Sequence, residues 1–270
     1  MFIVKVPGIN GLGKTEGCEN SGNKILDELK NIYMNEQGKI VDVSLLDLEE
    51  IHLDNSNLEL TNNLIYKNSF KAFENKLKII FLGGDHSISY SITKAFLEHC
   101  KKSGKEPCLI VFDAHPDCME SADEKLPTHE EWLRSLINIG FPTKNIILVG
   151  VRNQHIQESS FLKEKNIKTI SMNRFSEDLQ DTCDILMEFS NKKELYVSID
   201  IDCIDPAFAP STGYQEPGGF TSRQFIYLIQ RINKIKALRG IDIVEINEKE
   251  DKKNNNLTIK LGAKILSELL

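Results

Sequence analysis

The sequence lacks an apolar run long enough to cross a membrane, because its longest apolar runs have the length of single strands. Its N-terminus also lacks a basic segment followed by a cleavable apolar one. Cysteine is sparse, at six in 270 residues, and no C-x-x-C pair occurs. This argues against a secreted disulfide scaffold and makes reduced thiols the expectation. We therefore expect a soluble, cytoplasmic protein without disulfides or a membrane partner.

An excess of positive charge is also missing, since 33 Lys and Arg face 40 Asp and Glu and the formal net charge is -7. A negative total argues against a nucleic-acid partner bound through its phosphates and favours small substrates, cationic ones in particular. No linker, internal repeat or long low-complexity segment divides the chain. With 40% hydrophobic residues, residues 1–270 are expected to form a single domain with one large core.

Short apolar runs alternate with segments whose apolar residues have helical spacing. Such alternation is typical of a parallel sheet covered by helices on both faces. The sequence therefore predicts an α/β fold of three layers, α/β/α, with a mostly parallel sheet of about eight strands. The predicted strands are FIVKV, KIVDVSL, KIIFL, CLIVF, NIILVGV, IKTIS, LYVSIDI and LRGIDIVEI. Predicted helices begin near Ser21, with apolar residues as far as Tyr33 on one face, and cover Ser89 to Glu98, Glu131 to Asn138, Asp181 to Phe189 and Ser222 to Ile235.

The stretch GINGLGKT, Gly8 to Thr15, matches the phosphate-loop pattern G-x-x-x-x-G-K-[ST] after the first predicted strand. A working phosphate loop needs a helix that begins at its Lys and Thr, so that the first amides face the phosphates. The residues that follow, EGCENSGN, include two glycines and several turn formers. They disfavour a helix start at Thr15, and nucleotide binding is kept as an alternative.

Polar residues follow four of the predicted strands directly, at the edge where parallel sheets bind ligands. KIIFL leads into GGDHS with His86, CLIVF into DAHPD, LYVSI into DID, and LRGIDIV into Glu245. Each of these segments alone has an ordinary structural interpretation, such as a hydrogen-bonded turn histidine or a strand-end carboxylate facing water. Their repetition at four strand ends indicates a site.

The DAHPD and DID segments each place several potential ligands on one side of the chain. Asp113, His115 and Asp117 occupy alternate positions of an extended segment, and their side chains therefore point the same way. Asp200 and Asp202 are spaced likewise at the end of a buried strand, where two like charges need a cation to neutralise them. The sequence predicts a metal site.

The charge of this set indicates how many ions it holds. Four carboxylates balance two divalent ions, and oxygen-rich ligation with one nitrogen per ion suits Mn²⁺. Two such ions activate water, so hydrolysis is the expected reaction class. The ligands are Asp113, Asp117, Asp200 and Asp202 with the imidazoles of His86 and His115.

The segments GGDHS, DAHPD, SIDIDCIDPAFAP and VEIN occur in this order between Gly83 and Asn247. Together they resemble the signature segments of the ureohydrolases, the arginase and agmatinase family, and the resemblance fits the strand layout over nearly the whole chain. It implies an arginase-like fold and a binuclear manganese hydrolase that cleaves a guanidino C–N bond to give urea and an amine. Family members are usually homo-oligomers, commonly trimers or hexamers.

The resemblance also implies a role for each site residue. Asp113 and Asp200 would bridge the two ions. One ion would also bind His86 and Asp117, and the other His115 and Asp202. Glu245 would accept hydrogen bonds from the substrate guanidinium.

Further candidate residues lie beyond the metal ligands. His129 is the candidate proton shuttle, with a surface histidine as the alternative, and the predicted Thr128 and Glu131 capping box would place it in a first helical turn. Asp205 would be structural or lie in the outer shell.

The departures from the family pattern concern the substrate. After Asp117 the chain has CMES, which does not match the arginase segment that holds an amino acid's carboxylate and amine. Asn153 and His155 stand where arginases carry acidic residues, and Glu120 is a candidate contact for the free amine of agmatine.

Cleavage of agmatine to putrescine and urea is therefore the leading hypothesis. Arginase, guanidino-acid hydrolase and formimidoylglutamase activities are alternatives within the family. A nucleotide-binding protein that uses Gly8 to Thr15, or a non-catalytic metal-binding relative, is the alternative from another class. The nucleotide hypothesis could employ Asp113 for Mg²⁺, but it leaves the other five ligands unexplained.

Overall fold

The computed structural model describes residues 1–10 and 13–270, and its centre is one sheet of eight strands. Every pair of neighbouring strands is parallel, in the order β2-β1-β3-β8-β7-β4-β5-β6. The predicted sheet of about eight mostly parallel strands is therefore confirmed. The strands are β1 (Phe2–Val6), β2 (Asp47–Glu50), β3 (Ile79–Gly83), β4 (Pro107–Phe112), β5 (Ile146–Val149), β6 (Lys168–Ile170), β7 (Glu194–Asp200) and β8 (Leu238–Val244).

One strand was predicted in the wrong place. The KIVDVSL run does not form a strand, because Val43–Leu45 make a turn of 3-10 helix that the Asp42 carboxylate caps by accepting a hydrogen bond from the Ser44 N–H. The strand follows at Asp47–Glu50, with every residue exposed. An edge strand with solvent-exposed charges carries no apolar pattern, so the sequence gives little sign of it.

The helices within the described residues cover both faces of the sheet. They are α1 (Ser21–Leu29), α2 (Leu58–Asn75), α3 (Ile88–Ser103), α4 (Trp132–Asn138), α5 (Ile156–Glu164), α6 (Met172–Glu177), α7 (Leu179–Phe189), α8 (Ser222–Ile232), α9 (Glu248–Asp251) and α10 (Leu257–Leu269). The start of α1 at Ser21 is as predicted, but the helix ends at Leu29 and Tyr33 is 83% exposed instead of lying on its buried face. None of these helices is both long and apolar enough to cross a membrane.

Alternate side chains of the strands fill two apolar cores, one on each side of the sheet. In β3, Ile80 and Leu82 face the core formed with α1, α6, α7, α8 and α10. Ile79 and Phe81 face the core formed with helices α2 to α5. This alternation follows from the two-residue period of a strand and gives the expected three layers.

The four strands that precede the polar segments are neighbours in the sheet, in the order β3-β8-β7-β4. Since they are parallel, their carboxyl ends meet at one edge. The fold thus brings together segments that are distant in the chain, such as His86 after β3 and Glu245 after β8, which are 159 residues apart.

Candidate metal centre

His86 lies in the turn after β3, and its Nδ1 atom is surrounded by carboxylate oxygens. The Nδ1 atom is 3.1 Å from Asp113 Oδ2, 2.9 Å from Asp117 Oδ2 and 3.2 Å from Asp200 Oδ2. Within the described residues, none of these close contacts gives Nδ1 a hydrogen-bond partner, and Asp113 Oδ2 is likewise unpartnered. One nitrogen and three oxygens therefore converge on a common point without bonding to each other, as the ligands of a cation do.

A second group of ligand atoms adjoins the first. His115 Nδ1 lies 2.9 Å from Asp202 Oδ2 and 3.7 Å from Asp113 Oδ1. In each group, His86 with Asp113 and Asp200 or Asp113 with His115 and Asp202, the ligand atoms lie within 4.8 Å of one another. Asp113 belongs to both groups and faces both imidazoles, as a bridging ligand must.

Buried negative charge dominates the electrostatics of this cluster. Burial and the nearby Asp113 carboxylate raise the pKa of Asp117 to about 7. Burial, with the Asp202 and Asp113 carboxylates, also raises the pKa of Asp200. Burial alone would lower the pKa of His115, but the Asp113 and Asp202 carboxylates outweigh it and raise that pKa to about 12. Carboxylates crowded at this depth require cations, and the oxygen-rich donor set with two imidazoles suits divalent ions such as Mn²⁺.

The hydrogen bonds below His86 fix which ring nitrogen carries its proton. His86 Nε2 lies 2.8 Å from Ser198 Oγ, and Ser198 Oγ donates to Asp242 Oδ1 at 2.6 Å. Because the Ser198 proton goes to Asp242, its oxygen must accept the Nε2 proton. The Nδ1 lone pair is thereby left free to face the carboxylate cluster, which is the arrangement of a metal-binding histidine.

Asp242 is the centre of a buried network that sequence reasoning missed. Besides the Ser198 hydroxyl, its carboxyl group accepts hydrogen bonds from Ser89 Oγ and Tyr196 OH, both at 2.8 Å, and from the Ile199 N–H at 3.3 Å. Its only signal in the sequence is an acidic residue inside the apolar run LRGIDIV. Such a residue at a buried strand position must find partners.

Trp132, at the start of α4, supports two of the candidate ligands. Its Nε1–H donates to Asp117 Oδ2 at 2.9 Å, and its ring centroid lies 4.7 Å from that of His86. Asp117 has a positive φ of 51°, a conformation that a residue with a side chain adopts at a cost. The indole thus holds a strained ligand in place.

Trp132→Phe is expected to weaken metal binding by about tenfold, because the ring contact to His86 is kept while Asp117 loses its hydrogen-bond donor. The measurement is a calorimetric titration of Mn²⁺ into metal-stripped wild-type and variant proteins, with circular dichroism as a check of the fold. An unchanged affinity in a folded variant would show that the indole does not orient the ligand.

Glu245 follows β8 and lies against the same cluster. Its Oε1 atom accepts a hydrogen bond from the His86 N–H at 2.8 Å, and its own N–H donates to the Gly84 carbonyl at 2.9 Å. Its φ is 65°, which makes it a second residue of the site in the left-handed region. Burial and the Asp85 carboxylate raise the pKa of Glu245. Its side chain lines a cavity of about 320 Å³, together with those of His115, Asp117, Asp200 and Asp202.

The phosphate-loop match has a structural role beside the site. The Thr15 hydroxyl donates to Asp85 Oδ2 at 3.0 Å, and the Asn10 N–H donates to the same atom at 2.7 Å. No helix begins at Thr15, since α1 starts at Ser21. This agrees with the prediction from the two glycines in EGCENSGN. Gly11 and Leu12 of this stretch lie outside the described residues. The loop is anchored to the turn that carries His86.

His129 lies in the turn before α4 and not in a first helical turn as predicted, because α4 begins only at Trp132. Half of the predicted capping box is present: Glu131 accepts from the Thr128 N–H at 3.0 Å, but the Thr128 hydroxyl has no partner among the described residues. The His129 ring is buried, lines the cavity and lies 5.2 Å from the Tyr214 ring. Burial lowers the pKa of His129 to about 4.

Glu120 is not brought to the cavity. Its side chain is 75% exposed and lies 3.8 Å from Arg134 in a separate surface groove. The chain leaves the extended conformation at Asp117, so proximity in sequence does not bring Glu120 close in space. Other glutamates line the cavity instead, namely Glu130, Glu158, Glu216 and Glu245.

The loop after β7 forms one wall of the cavity and is held by Arg152. The guanidinium donates to the carbonyl oxygens of Asp202 at 2.7 Å and Cys203 at 3.3 Å, and also to that of Glu216. The same loop is closed by Asp205, which accepts hydrogen bonds from the N–H groups of Ala207 and Gly218. Arg152 therefore ties a ligand-bearing segment to the wall that carries Tyr214 and Glu216.

The segment with Asn153 and His155 and the segment that ends VEIN both form helix caps. His155 Nδ1 accepts from the Gln157 N–H at 3.3 Å at the start of α5, and its imidazole also lines the cavity. The Asn247 side chain accepts from the N–H groups of Lys249 and Glu250 at the start of α9. Asn153, in the first of these segments, donates a hydrogen bond to the Glu216 carboxylate at the cavity wall.

Comparison with known proteins agrees with this geometry. Arginase 1, mitochondrial, of Arabidopsis thaliana is 31% identical over 196 residues, which are 73% of this chain and 55% of that protein. The match thus spans little more than half the length of this relative. Among solved structures, formimidoylglutamase from Bacillus subtilis has a TM-score of 0.88 at 23% identity, covering 99% of this chain and 84% of that one. The agmatine ureohydrolase of Thermoplasma volcanium has a TM-score of 0.82 at 22% identity, with 99% and 87% covered.

The structural likenesses show that the fold is shared, which confirms the arginase-like architecture that the motifs implied. The model of the arginase family matches residues 1–270, the whole of the sequence. The chain belongs to the arginase family.

Proposed function

We propose that this protein is a binuclear manganese amidinohydrolase that cleaves agmatine to putrescine and urea. The observation that carries the proposal is the cluster of six candidate metal ligands at one edge of the sheet, four of which line the same cavity as Glu245. Two bound divalent ions would supply the nucleophile by lowering the pKa of water towards 7. Asp113 and Asp200 would be shared by the ions. His86 and Asp117 would complete the ligands of one ion, and His115 and Asp202 those of the other.

Glu245 would orient the reacting group. Its Oε1 atom is held by the His86 N–H, so the carboxylate is fixed relative to a metal ligand. A planar guanidinium that donates to this carboxylate is restricted in both position and orientation, which is how a positioning group contributes to rate. The position of the substrate carbon would thus be fixed by Glu245 and that of the nucleophile by the metal ligands, and one hydrogen bond joins Glu245 to the ligand His86.

His129 would carry the proton. Its buried imidazole lines the cavity, and neither ring nitrogen has a hydrogen-bond partner among the described residues. Since burial lowers its pKa to about 4, the ring is neutral at physiological pH and would release quickly any proton that it takes up. It could return that proton to the departing amine, which is the role of a general acid–base group.

The charge of the cavity favours a cationic substrate. Its lining includes four glutamates in addition to the metal ligands, and no Lys or Arg belongs to the lining within the described residues. Agmatine carries a guanidinium and a second cation. Guanidino acids and formimidoylglutamate carry carboxylates, which the glutamates of the cavity lining repel. Arginine has both an ammonium and a carboxylate and is therefore the closest competitor.

The test is urea or ammonia release by purified protein against agmatine, arginine, guanidinobutyrate, guanidinopropionate and formimidoylglutamate, with Mn²⁺ and after metal removal. Agmatine is expected to give the highest kcat/KM, and turnover is expected to disappear on removal of the metal. Absence of turnover across the panel in protein with two bound Mn²⁺ per subunit would contradict the proposal and favour a non-catalytic role.

We also propose that the protein is cytoplasmic and forms a homo-oligomer, a trimer or a hexamer. The family relationship supports the assembly, and the absence of a C-x-x-C pair and of secreted-scaffold cysteine density supports the compartment. Light scattering coupled to size exclusion measures the assembly directly, and a monomeric mass would contradict it.

A further inference from the structure

Glu130 differs from the other glutamates of the cavity in having no hydrogen-bond donor. Glu158 accepts from the N–H groups of Cys118 and His155, Glu216 accepts from the Asn153 side chain, and Glu245 accepts from the His86 N–H. The Glu130 carboxylate lines the cavity at 38% exposure, and no donor is bonded to it within the described part of the chain. Its nearest basic atom is His129 Nε2, at 3.7 Å.

The backbone of Glu130 is nevertheless fixed. Its carbonyl oxygen accepts a hydrogen bond from the Met119 N–H at 3.0 Å. Burial and the carboxylates of Glu158 and Glu131 raise the pKa of Glu130. A carboxylate among like charges, held in place but without a donor, is stabilised when a cation binds beside it.

The neighbouring imidazole indicates that the ligand belongs at this wall. His129 is only 5% exposed, and both of its ring nitrogens lack partners among the described residues. Unpartnered polar atoms at such depth are rare, and those that occur usually face a ligand or water. His129 and Glu130 therefore form a polar wall of the cavity whose hydrogen-bonding capacity is unused within the described residues.

Tyr214 connects this wall to the reaction centre. Tyr214 lines the same cavity as Glu130 and Glu245, and burial together with the charges of these two carboxylates raises the pKa of its phenol. Its ring also packs on His129, and the Lys14 ammonium lies 4.5 Å from the ring centroid. A cavity lined by two carboxylates and an aromatic ring matches a ligand with a cation at each end and methylene groups between them.

We propose that Glu130 is the subsite for the distal ammonium group of the substrate, with Glu245 holding the guanidinium and Tyr214 lining the cavity beside the methylene chain. This inference rests on the proposed function. It assigns substrate choice to a residue that lies directly after the proposed proton carrier and two residues before the helix that supports Asp117.

The experiment compares agmatine with butylguanidine, which has the same chain and guanidinium but no ammonium. Glu130→Gln is expected to lower kcat/KM for agmatine by about ten- to a hundredfold, mainly through KM, since a hydrogen bond to a charged group is lost. Activity on butylguanidine is expected to stay within about twofold, which also shows that the variant is folded. The matched control is Glu188→Gln, an equal change of charge at an exposed position of α7.

A charge reversal gives a second readout. Glu130→Lys is expected to shift preference from agmatine towards 4-guanidinobutyrate, whose distal group is a carboxylate. An equal loss on agmatine and butylguanidine in Glu130→Gln, or no loss on either, would overturn the subsite while leaving the hydrolase function intact. If wild-type protein with bound Mn²⁺ cleaves no guanidino compound, the proposed function itself fails.

Discussion

Replacing Asp113 with asparagine is expected to lower kcat for guanidine hydrolysis by at least about a thousandfold. The Asp113 carboxylate is the group shared by the two ligand clusters, and its two oxygens face different imidazoles. An amide is neutral and offers only one oxygen, so both clusters lose a negative ligand at once. The measurement is metal-dependent urea release, together with the number of Mn²⁺ ions bound per subunit by elemental analysis.

The control for this variant is Asp184→Asn, which makes the same change at a residue that pairs with Arg231 on the protein surface. We expect the control to keep full activity and full metal content. A full-rate Asp113→Asn variant would show that the carboxylate cluster is not the reaction site. Loss of activity with two ions still bound would show that Asp113 acts on the nucleophile and not on metal retention.

The clustering of the candidate metal ligands could be predicted from the sequence because each lies at the end of an apolar strand or in the loop that follows it. Strand ends are recognisable from composition, and parallel strands place their carboxyl ends at one edge. The sequence does not tell which strands are neighbours in the sheet, and the observed order β3-β8-β7-β4 shows this. His86, Asp113 and Asp200 therefore meet although the sequence separates them by 27 and 87 residues.

The supporting residues could not be predicted, because their roles depend on strand register. Ser198 and Asp242 lie directly opposite each other in the pairing of β7 with β8. Nothing in either strand fixes this register, and a shift of one residue would turn each side chain to the other face. The bond from Ser198 to His86 depends in turn on that alignment.

The position of Glu120 was mispredicted for a different reason. The segment between Asp117 and α4 contains several glutamates, and the sequence favours Glu120 because it lies nearest to a ligand. The extended conformation, in which alternate side chains point the same way, ends at Asp117, whose φ is 51°. Beyond this residue, spacing along the chain does not predict which side chain faces the cavity. Glu130 lies at the cavity wall because the Met119 N–H pairs with its carbonyl, a contact that no local pattern encodes.

Asp242→Ala is expected to cost about 3 to 5 kcal/mol in the free energy of unfolding, which is a large effect for one substitution. The carboxyl group accepts hydrogen bonds from three buried hydroxyls and one backbone N–H. Each donor left without a partner costs about 1 to 3 kcal/mol, and water entering the vacated space recovers part of the sum. The measurement is urea-induced unfolding of metal-stripped protein, so that lost metal binding does not contribute.

Ser198→Ala separates the two functions of this network. It removes the link to His86 but leaves Asp242 with the donors Ser89, Tyr196 and the Ile199 N–H. We expect a stability loss of only about 1 kcal/mol and a fall in Mn²⁺ affinity of about tenfold, because the imidazole is no longer held in the tautomer that presents Nδ1. Equal stability losses in the Ser198 and Asp242 variants would contradict the network. Unchanged Mn²⁺ affinity in Ser198→Ala would mean that the carboxylates alone orient His86. The tautomer of the ring would then be set by metal binding and not by the hydrogen bond to Ser198.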